Sequence, residues 1–281
     1  MDLTKEYISS LLPQRPLSAN KGTFGKVLVI AGSENYPGAA YLCCAAAYRV
    51  GAGLVTLVTT YEVKIIVSKK LPEVTFLSYS KVFEELEDYD AFILGPGIGQ
   101  KDETTKFIKK LIEKKLAKTV IDGDGLNILS KMDKWWEQLK AEAVLTPHPG
   151  EMSKLTGLRV EEVQAERVGT AQKFAKKWGQ TLLLKGAHTV IVSPSGEVVI
   201  SSFVNPALAT AGTGDILAGI IGGLIAQGLK PFDSACVGVY IHGFAAEQIR
   251  EQIGNAGLLA SDLLPVLPKV MKKYKRVLTS N

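Results

Sequence analysis

The chain has 281 residues, 46% of them hydrophobic and 22% charged, which is the composition of a globular protein with a substantial apolar core. Its net charge of +5 is modest for this length and suits anionic ligands, and the sequence has no dense cluster of arginine, lysine and aromatic residues, so we expect no nucleic-acid partner. The longest apolar segment, residues 216–229, is too short and too rich in glycine to span a bilayer, so we expect no membrane association.

Two features favour a cytoplasmic location. Residues 1–12 are amphipathic and carry charges, so they lack the apolar core of a secretory signal peptide. The three cysteines, Cys43, Cys44 and Cys236, form no C-x-x-C pair, and two of them are adjacent in an apolar run. This pattern predicts buried free thiols in a reducing compartment.

The first elements predict the fold class. An apolar run bounded by glycines, residues 26–32, is typical of a buried parallel strand. Residues 38–52 are rich in alanine, leucine and cysteine and predict a buried helix, and residues 54–59 predict a second strand. A strand, helix and parallel strand in succession favour a right-handed crossover, and hence a three-layer α/β/α sandwich with a mostly parallel central sheet.

The same alternation continues along the chain. Further strands are predicted at 74–77, 91–94, 119–121, 143–145 and 181–185, with an edge hairpin at 190–192 and 198–202. Further helices are predicted at 62–71, 104–118, 160–178, 232–253 and 258–274. No linker, repeat or shift in composition divides the chain, so we expect a single domain over residues 1–281.

Glycines and carboxylates follow two of the predicted strands. The segment G-P-G-I-G at 95–99 either lets a ligand approach the backbone closely or forms a plain tight turn. Asp122 and Asp124 come directly after strand 119–121, where they either bind a metal or polar ligand or cap the next helix. We favour a capping role for Asp124 and a ligand contact for Asp122, which comes first off the strand.

His148 lies between Pro147 and Pro149 at the end of a predicted strand. Flanking prolines fix the backbone and give the side chain a definite direction, so a binding role explains this residue better than core packing does. Glu151 lies at the start of the following helix, where a carboxylate is favourable in any case.

The stretch A-T-A-G-T-G-D at 209–215 leads into a strongly apolar helical pattern. Such a junction directs several backbone N–H groups and the positive end of a helix dipole at one point, which predicts an anion site at Gly212, Thr213 and Gly214. Asp215 is then either a general base beside bound phosphate or a residue that caps the helix. The glycines of the same helix, Gly219, Gly222 and Gly223, are expected to form a close-packing face.

Six segments together resemble one family. They are K-G-T-F-G-K-V-L-V-I-A-G-S at 21–33, P-G-A-A at 37–40, G-P-G-I-G at 95–99, L-T-P-H-P-G-E at 145–151, L-L-L-K-G-A-H-T at 182–189 and N-P-A-L-A-T-A-G-T-G-D at 205–215. In this order they resemble the ADP/ATP-dependent NAD(P)H-hydrate dehydratase family of the ribokinase-like superfamily. The resemblance implies dehydration of the S epimer of NAD(P)H hydrate to NAD(P)H, with ADP or ATP as co-substrate and Mg²⁺ as cofactor.

The resemblance also implies roles for individual residues. It implies that Asp215 is the catalytic base and that Gly212, Thr213 and Gly214 form the anion hole. It places the nucleotide contacts at Lys185, Gly186, Ala187, His188, Thr189 and Gly214. It places the contacts to the hydrate at Ala40, Gly97, His148 and Asp215, and it implies that Glu151 organises the water shell of Mg²⁺.

Two positions depart from the family pattern. Asn20 stands where a histidine usually precedes K-G, and Ala207 stands where a glycine usually follows N-P, which could stiffen the loop that enters the anion site. The family further implies a homotetramer. Many relatives carry an epimerase domain ahead of this one, for which this sequence has no room, so we expect a separate epimerase protein to be functionally linked.

Two other functions share some of these features. A ribokinase-like kinase for a thiazole- or pyridoxal-type alcohol would have the same G-T-G-D junction but would leave the phosphate on its acceptor. A nucleotide-binding module without catalysis is the other alternative, and the intact Asp215 argues against it.

Overall fold

Nine β-strands form one sheet at the centre of the molecule in the computed structural model, which describes residues 3–16 and 18–274. The strands are β1 (Lys26–Ile30), β2 (Leu54–Val58), β3 (Thr75–Phe76), β4 (Ala91–Leu94), β5 (Lys118–Ile121), β6 (Ala143–Leu145), β7 (Thr181–Leu184), β8 (Val190–Val192) and β9 (Val198–Ile200). Their order across the sheet is β3-β2-β1-β4-β5-β6-β7-β8-β9. Strands β1 to β7 pair in parallel, whereas β8 and β9 add an antiparallel edge. The mostly parallel sheet and the edge hairpin are therefore confirmed.

The helices lie on both sides of this sheet. They are α1 (Lys5–Leu11), α2 (Pro37–Val50), α3 (Tyr61–Lys70), α4 (Asp102–Ile112), α5 (Asp124–Leu129), α6 (Trp135–Gln138), α7 (Pro149–Thr156), α8 (Val160–Ala165), α9 (Arg167–Trp178), α10 (Thr213–Ala226), α11 (Pro231–Ile253), α12 (Ala260–Leu263) and α13 (Leu267–Tyr274). Short 3₁₀ turns occur at Lys21–Phe24, Val82–Glu84, Leu86–Asp88 and Pro206–Leu208.

Alternate residues of the central strands face opposite layers. In β1, Leu28 and Ile30 belong to the core layer that includes α4, α5 and α9, whereas Val27 and Val29 belong to the layer that includes α2, α10 and α11. All four side chains are fully buried, as expected for a strand covered on both faces. The second helical layer is itself covered by α1, α12 and α13. This arrangement confirms the three-layer α/β/α sandwich.

Helix α10 packs very closely against α2 through its glycines. A Cβ atom on Gly219 would lie 2.3 Å from the Cys43 carbonyl oxygen, and one on Gly223 would lie 2.8 Å from the Ala47 carbonyl oxygen. On another face of α10, a Cβ on Gly222 would lie 2.4 Å from the Ile93 side chain of β4. The predicted close-packing face is confirmed, and it fixes α10 on the sheet.

Two predicted helices are interrupted. The pattern at 160–178 forms two helices because Glu166 leaves the helical conformation, and its side chain caps α9 by accepting a hydrogen bond from Gly169 N at 3.2 Å. The pattern at 258–274 likewise forms α12 and α13. Residues 1–2, 17 and 275–281 of the predicted single domain lie outside the described residues.

The three cysteines are free and buried, as predicted. Within residues 3–16 and 18–274, no helix combines the length and the apolar character that crossing a membrane requires.

Candidate active site

Three adjacent parallel strands bring three polar side chains to one edge of the sheet. Asp122 follows β5, Thr146 follows β6 and Lys185 follows β7. Because β5, β6 and β7 are neighbours, their carboxyl ends meet, and ligands of open α/β sheets bind at this edge.

Lys185 and Asp122 form a close ion pair. The Lys185 ammonium lies 2.6 Å from Asp122 Oδ1, which also accepts a hydrogen bond from the Thr146 hydroxyl at 2.7 Å. Asp122 and Thr146 are only 3% and 1% exposed, so this carboxylate is held from two sides. Burial lowers the pKa of Lys185, but the charges of Asp122 and Glu151 outweigh burial and leave this pKa above its usual value. The ammonium is therefore a fixed positive charge.

The amino end of α10 lies directly beside this ion pair. Gly212 begins the helix with a φ of 94°, a left-handed conformation that favours glycine, and the Thr213 hydroxyl donates to the Leu208 and Thr210 carbonyls at 2.9 Å. A Cβ atom on Gly214 would lie 3.5 Å from the Lys185 ammonium nitrogen. The structure thus brings the predicted anion site and the predicted nucleotide contact Lys185 together.

Asp215 has the properties of a base rather than of a cap. Among the described residues, its carboxylate has no hydrogen-bond partner, so it does not cap α10. Burial, and then the charge of Asp122, raise the pKa of Asp215 to about 7, although Lys185 opposes the shift. A carboxyl group with this pKa exchanges protons near neutral pH.

His148 caps α7 together with Glu151. His148 Nδ1 accepts hydrogen bonds from Gly150 N at 3.0 Å and Glu151 N at 3.3 Å, and Glu151 Oε2 accepts one from His148 N at 2.8 Å. Desolvation lowers the pKa of His148, so the ring is neutral, as this acceptor role requires. The direction of His148 is therefore fixed by the helix cap as well as by the prolines.

Glu151 lies deep in the same site. Its carboxylate is 3.8 Å from the Lys185 ammonium, and the residue is 5% exposed. Burial raises the pKa of Glu151 to about 7, while Lys185 acts against the shift. Asp122, Glu151 and Asp215 thus place three carboxyl groups around one ammonium group, and desolvation is the main reason that two of them are poor acids.

A cavity of about 720 Å³ opens beside the amino end of α10. It is lined by most of the predicted nucleotide-binding residues, namely Lys185, Gly186, Ala187, Thr189 and Gly214, and also by Gly212, Thr213 and His148. His188 is absent from this lining, because its backbone has a φ of 54° and its ring lies 3.3 Å from the Ser201 carbonyl oxygen. The volume is that of a typical small-molecule site.

The comparisons with known proteins bear on what this cavity binds. A family model described as NAD(P)H-hydrate dehydratase matches residues 27–269, which is most of the chain. The chain belongs to the NAD(P)H-hydrate dehydratase family.

Individual relatives and solved structures show the same likeness. The ADP-dependent (S)-NAD(P)H-hydrate dehydratase of Neisseria meningitidis serogroup B is 36% identical, over 89% of this chain and 86% of its own length. The ADP/ATP-dependent NAD(P)H-hydrate dehydratase of Bacillus subtilis, co-crystallized with ATP and Mg²⁺, superposes with a TM-score of 0.88 at 33% identity, covering 97% of this chain and 98% of that one. A ribokinase-like superfamily protein of Enterococcus faecalis superposes with a TM-score of 0.87 at 29% identity, covering 98% and 96% of the two chains. The ribokinase-like fold is therefore confirmed.

Other curated relatives are longer than this chain. Those named bifunctional NAD(P)H-hydrate repair enzymes align with 97% of this chain but with only 54% of their own length in one example. The chain thus spans about half the length of these members of the dehydratase family.

The structure corrects the helix-capping role predicted for Asp124. Asp124 does not cap α5, because Gly123 occupies the capping position with a φ of 54° and Asp124 is already the first helical residue. Its carboxylate instead accepts hydrogen bonds from Gly99 N and Gln100 Nε2, both at 2.9 Å, and so ties down the 95–99 loop.

Ala40 and Gly97 lie away from the cavity. Ala40 is fully buried and packs against Gly32, where a Cβ atom would lie 2.7 Å from Ala40 Cβ. The structure therefore offers no accessible Ala40 surface for the contact predicted with the hydrate. Gly97 has a φ of 59°, and a Cβ there would lie 2.7 Å from Tyr36 Cβ, so it lets the 95–99 loop approach the start of α2.

Several cavity residues could not be found from the sequence. They are Phe203, Val204, Leu208, Leu217, Val239 and His242. Phe203 and Val204 precede the N-P-A-L-A-T-A segment and Leu208 lies within it, so the motif gave only a weak signal for them. No sequence signal points to Val239 and His242, because they lie inside α11 and only the packing of that helix brings them to the cavity.

The residues present fit Mg²⁺ only as an ion held mainly by phosphates and water. Among residues 3–16 and 18–274, no group of three or more His, Cys, Asp or Glu side chains is placed to hold a metal ion. The Glu151 and Asp122 carboxylates already accept hydrogen bonds from His148 N and Lys185. Mg²⁺ commonly keeps several waters and binds through one or two carboxylates together with substrate phosphates, which suits this arrangement.

Proposed function

We propose that this protein dehydrates the S epimer of NAD(P)H hydrate to NAD(P)H, driven by ADP or ATP through a phosphorylated intermediate. The observation that carries the proposal is the meeting of three parts at one point. These parts are the amino end of α10, the fixed Lys185 ammonium and the unpartnered Asp215 carboxyl group. Phosphoryl transfer needs an anion site, charge neutralisation and a base for the accepting hydroxyl.

The reaction begins with a poor leaving group. The hydrate carries a hydroxyl on C6 of the nicotinamide ring, and Asp215 accepts its proton as the oxygen attacks the terminal phosphoryl group of the nucleotide. The bridging P–O bond of the nucleotide breaks in this step, and AMP leaves when ADP is the donor or ADP leaves when ATP is the donor. Backbone N–H groups at 212–215 and the Lys185 ammonium stabilise the charge on the transferring oxygens. The C–O bond then breaks as the ring nitrogen donates its lone pair, phosphate leaves, and loss of a ring proton gives NAD(P)H.

The two substrates would occupy different spaces that meet at the start of α10. The cavity lined by Lys185, Gly186, Ala187 and Thr189 is proposed for the nucleotide. The hydrate would approach from the α2 side. A Cβ atom on Gly212 would lie 2.6 Å from Cδ1 of Leu42, a residue of α2, and 4.0 Å from Asp215 Oδ2. The Asp215 carboxylate therefore lies on the side of the α10 amino end that faces α2.

The other predicted contact residues can be assigned to these two spaces, with direct roles for His148 and Gly97 and indirect roles for Ala40 and His188. His148 borders the nucleotide cavity, from which it would reach the hydrate, and Gly97 would contact the hydrate through the 95–99 loop. Ala40 would act by shaping the turn at Gly32, and His188 by holding the loop after β7 at Ser201.

Bound Mg²⁺ would neutralise negative charge on the nucleotide phosphates. Glu151 would face its water shell, and the cap with His148 fixes the orientation of that carboxylate.

We also propose a single domain over residues 1–281, a homotetramer, a cytoplasmic location, a separate epimerase partner, and the lack of nucleic-acid and membrane partners. The composition, the motifs and the family support them.

Incubation of the protein with NADHX and either ADP or ATP tests the function. We expect the absorbance of reduced nicotinamide to recover with release of one inorganic phosphate per NADH formed. Phosphate that stays on a thiazole- or pyridoxal-type alcohol would instead indicate the kinase alternative. Nucleotide binding without phosphate release would indicate a binding module.

A further inference from the structure

Arg167, the first residue of α9, ties that helix to the loop that follows β7. Its Nη2 atom donates hydrogen bonds to the carbonyl oxygens of Leu184 at 3.0 Å and Lys185 at 3.2 Å, and its Nη1 atom donates one to Gln164 Oε1 at 2.7 Å. A Cβ atom on Gly186 would lie 3.2 Å from both Nη1 and Nη2. The guanidinium therefore lies directly behind the backbone of Lys185 and Gly186, two residues that line the nucleotide cavity.

Arg167 can reach a bound nucleotide only through this backbone. The lining of the 720 Å³ cavity does not include Arg167. Within residues 3–16 and 18–274 it forms no ion pair with a carboxylate. A guanidinium keeps its charge at any physiological pH, so this positive charge is neutralised by no acid and is directed at two backbone carbonyls.

A role in stability alone explains Arg167 poorly. Its Nε atom is buried and has no hydrogen-bond partner in the described part of the chain. A buried donor left unpaired lowers the stability of the fold, and an apolar side chain at this position would avoid that cost. The residue is better explained by what its two terminal nitrogens do to the loop.

The peptide that joins Lys185 to Gly186 is held at a defined orientation. Lys185 N donates to the Pro147 carbonyl oxygen at 2.8 Å, and Lys185 O accepts from Arg167. In a trans peptide the C=O and N–H bonds point in opposite directions, so the Gly186 N–H points away from Arg167. This N–H donates no hydrogen bond among the described residues. Since Gly186 lines the cavity, the donor is available to an anionic ligand.

The loop has a conformation that outside contacts must maintain. Gly186 has a φ of 139° and His188 a φ of 54°. Glycine tolerates a positive φ, but His188 is a non-glycine residue in the left-handed region, which is unfavourable. Without the hydrogen bonds from Arg167 to the Leu184 and Lys185 carbonyls, other loop conformations become populated. Only a fraction of the molecules then presents the loop to a nucleotide.

We propose that Arg167 is a positioning residue for nucleotide binding. It holds the loop after β7 in the conformation that places the Lys185 ammonium and the Gly186 N–H against the phosphates of the bound nucleotide. This inference rests on the proposed function, because it requires ADP or ATP in the cavity. The Lys185 ammonium has a second anchor in its ion pair with Asp122 at 2.6 Å, so loss of Arg167 affects nucleotide binding more than the chemical step.

Gln172 provides a matched control on the same helix. Its Nε2 atom donates to the Gly196 carbonyl oxygen at 3.3 Å, so it also ties α9 to the backbone of a loop. That loop joins β8 to β9, and neither Gln172 nor Gly196 lines the cavity. R167M and Q172M therefore remove the same kind of contact and introduce the same side chain, but only R167M affects the loop after β7.

Calorimetric titration with ADP and steady-state kinetics with NADHX test the proposal. We expect R167M to bind ADP roughly tenfold more weakly than the wild-type protein. One hydrogen bond from a charged donor shifts a loop equilibrium by about this factor, and the apparent affinity falls with the population of the competent loop. The KM for ADP should rise by the same factor, whereas kcat and the KM for the hydrate should each change by less than about twofold, as expected for a loss of nucleotide binding alone.

Two further variants separate positioning from folding. Lysine keeps the charge but replaces the planar fork by a single ammonium, so R167K should bind ADP more tightly than R167M and more weakly than the wild-type protein. Q172M should bind ADP as the wild-type protein does. Thermal unfolding of R167M in one cooperative transition shows that its loss of affinity is not a loss of the fold. If R167M does not fold, the affinity of R167K decides.

Three results would overturn the role of Arg167. Wild-type affinity for ADP in R167M, or in R167K if R167M does not fold, would show that the loop does not depend on the guanidinium. Equal weakening in Q172M would show a general effect of α9 on the fold. A lower kcat with unchanged affinity for ADP would assign Arg167 to the chemical step.

The wild-type protein separates this inference from the proposed function. Binding of ADP without dehydration of NADHX would refute the proposed function, while weaker binding by R167M would still support the role of Arg167. A wild-type protein that binds neither ADP nor ATP would refute both.

Discussion

The Asp215→Asn variant should lose turnover and gain stability. Asparagine keeps the size of the side chain but cannot accept the proton of the hydrate hydroxyl. General bases typically contribute a factor of about 10²–10⁴ to the rate, so we expect kcat to fall by that factor. Binding of ADP should stay nearly unchanged, because the cavity lining does not include Asp215.

The gain in stability follows from the ionisation of this carboxyl group. Its pKa rises from the ordinary value of 3.8 to about 7 in the folded protein, since desolvation penalises the charged form. At about 1.36 kcal/mol per pKa unit, the ceiling of this penalty is about 4 kcal/mol. Asp215 is partly exposed, so relaxation and solvent reduce the value, and we expect about 1–2 kcal/mol. For a chain of this size that corresponds to a Tm higher by roughly 3–6 °C.

The raised pKa of Asp215 sets the sign and the pH range of this gain in stability. A raised carboxyl pKa means that the folded protein binds more protons than the unfolded chain between the two pKa values, so its stability falls as the pH rises from about 4 to about 7. The Tm difference between D215N and the wild-type protein should therefore be near zero at about pH 4, should grow up to about pH 7 and should then stay constant. The kcat/KM of the wild-type protein should rise with pH through about 7 as the base ionises.

Thermal unfolding over this pH range and the NADHX assay are the two measurements. D90N is the control, because Asp90 accepts a hydrogen bond from Lys26 N at the opposite end of the sheet, and it should leave turnover unchanged. Dehydration retained by D215N would refute the assignment of the base. A Tm difference that does not depend on pH would refute the claim that ionisation of the desolvated Asp215 carboxyl group destabilises the folded protein.

Three further substitutions test other parts of the site and the fold. H148A should raise the KM for the hydrate far more than the KM for the nucleotide, and equal effects in steady-state kinetics would count against the predicted contact. D122N should lower kcat at least tenfold in a folded protein, because the Lys185 ammonium loses its charged partner at 2.6 Å; an unchanged kcat would mean that this pair does not position Lys185 for the reaction. G219A should lower the free energy of unfolding by about 1–3 kcal/mol through overpacking against α2, whereas G38A, where a Cβ meets nothing within 4 Å, should not, and equal denaturation midpoints would contradict the packing.

The sequence predicted the layers of the fold because buried strands can be recognised from consecutive apolar residues. Continuous apolar runs such as 91–94 and 143–145 match β4 and β6 in full, since a strand covered on both faces is built mainly of apolar residues. The interruption between α8 and α9 at Glu166 has no such signal in the sequence. The helical periodicity continues through 160–178, and only the hydrogen bond from Gly169 N shows that Glu166 starts a new helix.

The structure brings predicted site residues together where their motifs lie at one edge of the sheet, and it does so less elsewhere. Lys185, Gly212 and Gly214 come together because neighbouring strands and α10 end at one edge of the sheet. Ala40 matched a motif, yet it is buried against Gly32 and offers no surface. His242 matched no motif, yet it borders the cavity.

The sequence by itself determined the family, the order of the strands and the G-T-G-D junction that begins α10. These depend on residues that are close in the chain, where spacing specifies geometry. Only the tertiary structure decided the charge of the site, because Asp122, Glu151, Lys185 and Asp215 come from four different elements. Desolvation and the distances between these groups set the pKa of Asp215 near 7, and neither quantity can be obtained from the order of residues. The A-T-A-G-T-G-D stretch therefore encodes the start of α10 locally, whereas the raised pKa of its last residue arises only when the chain is folded.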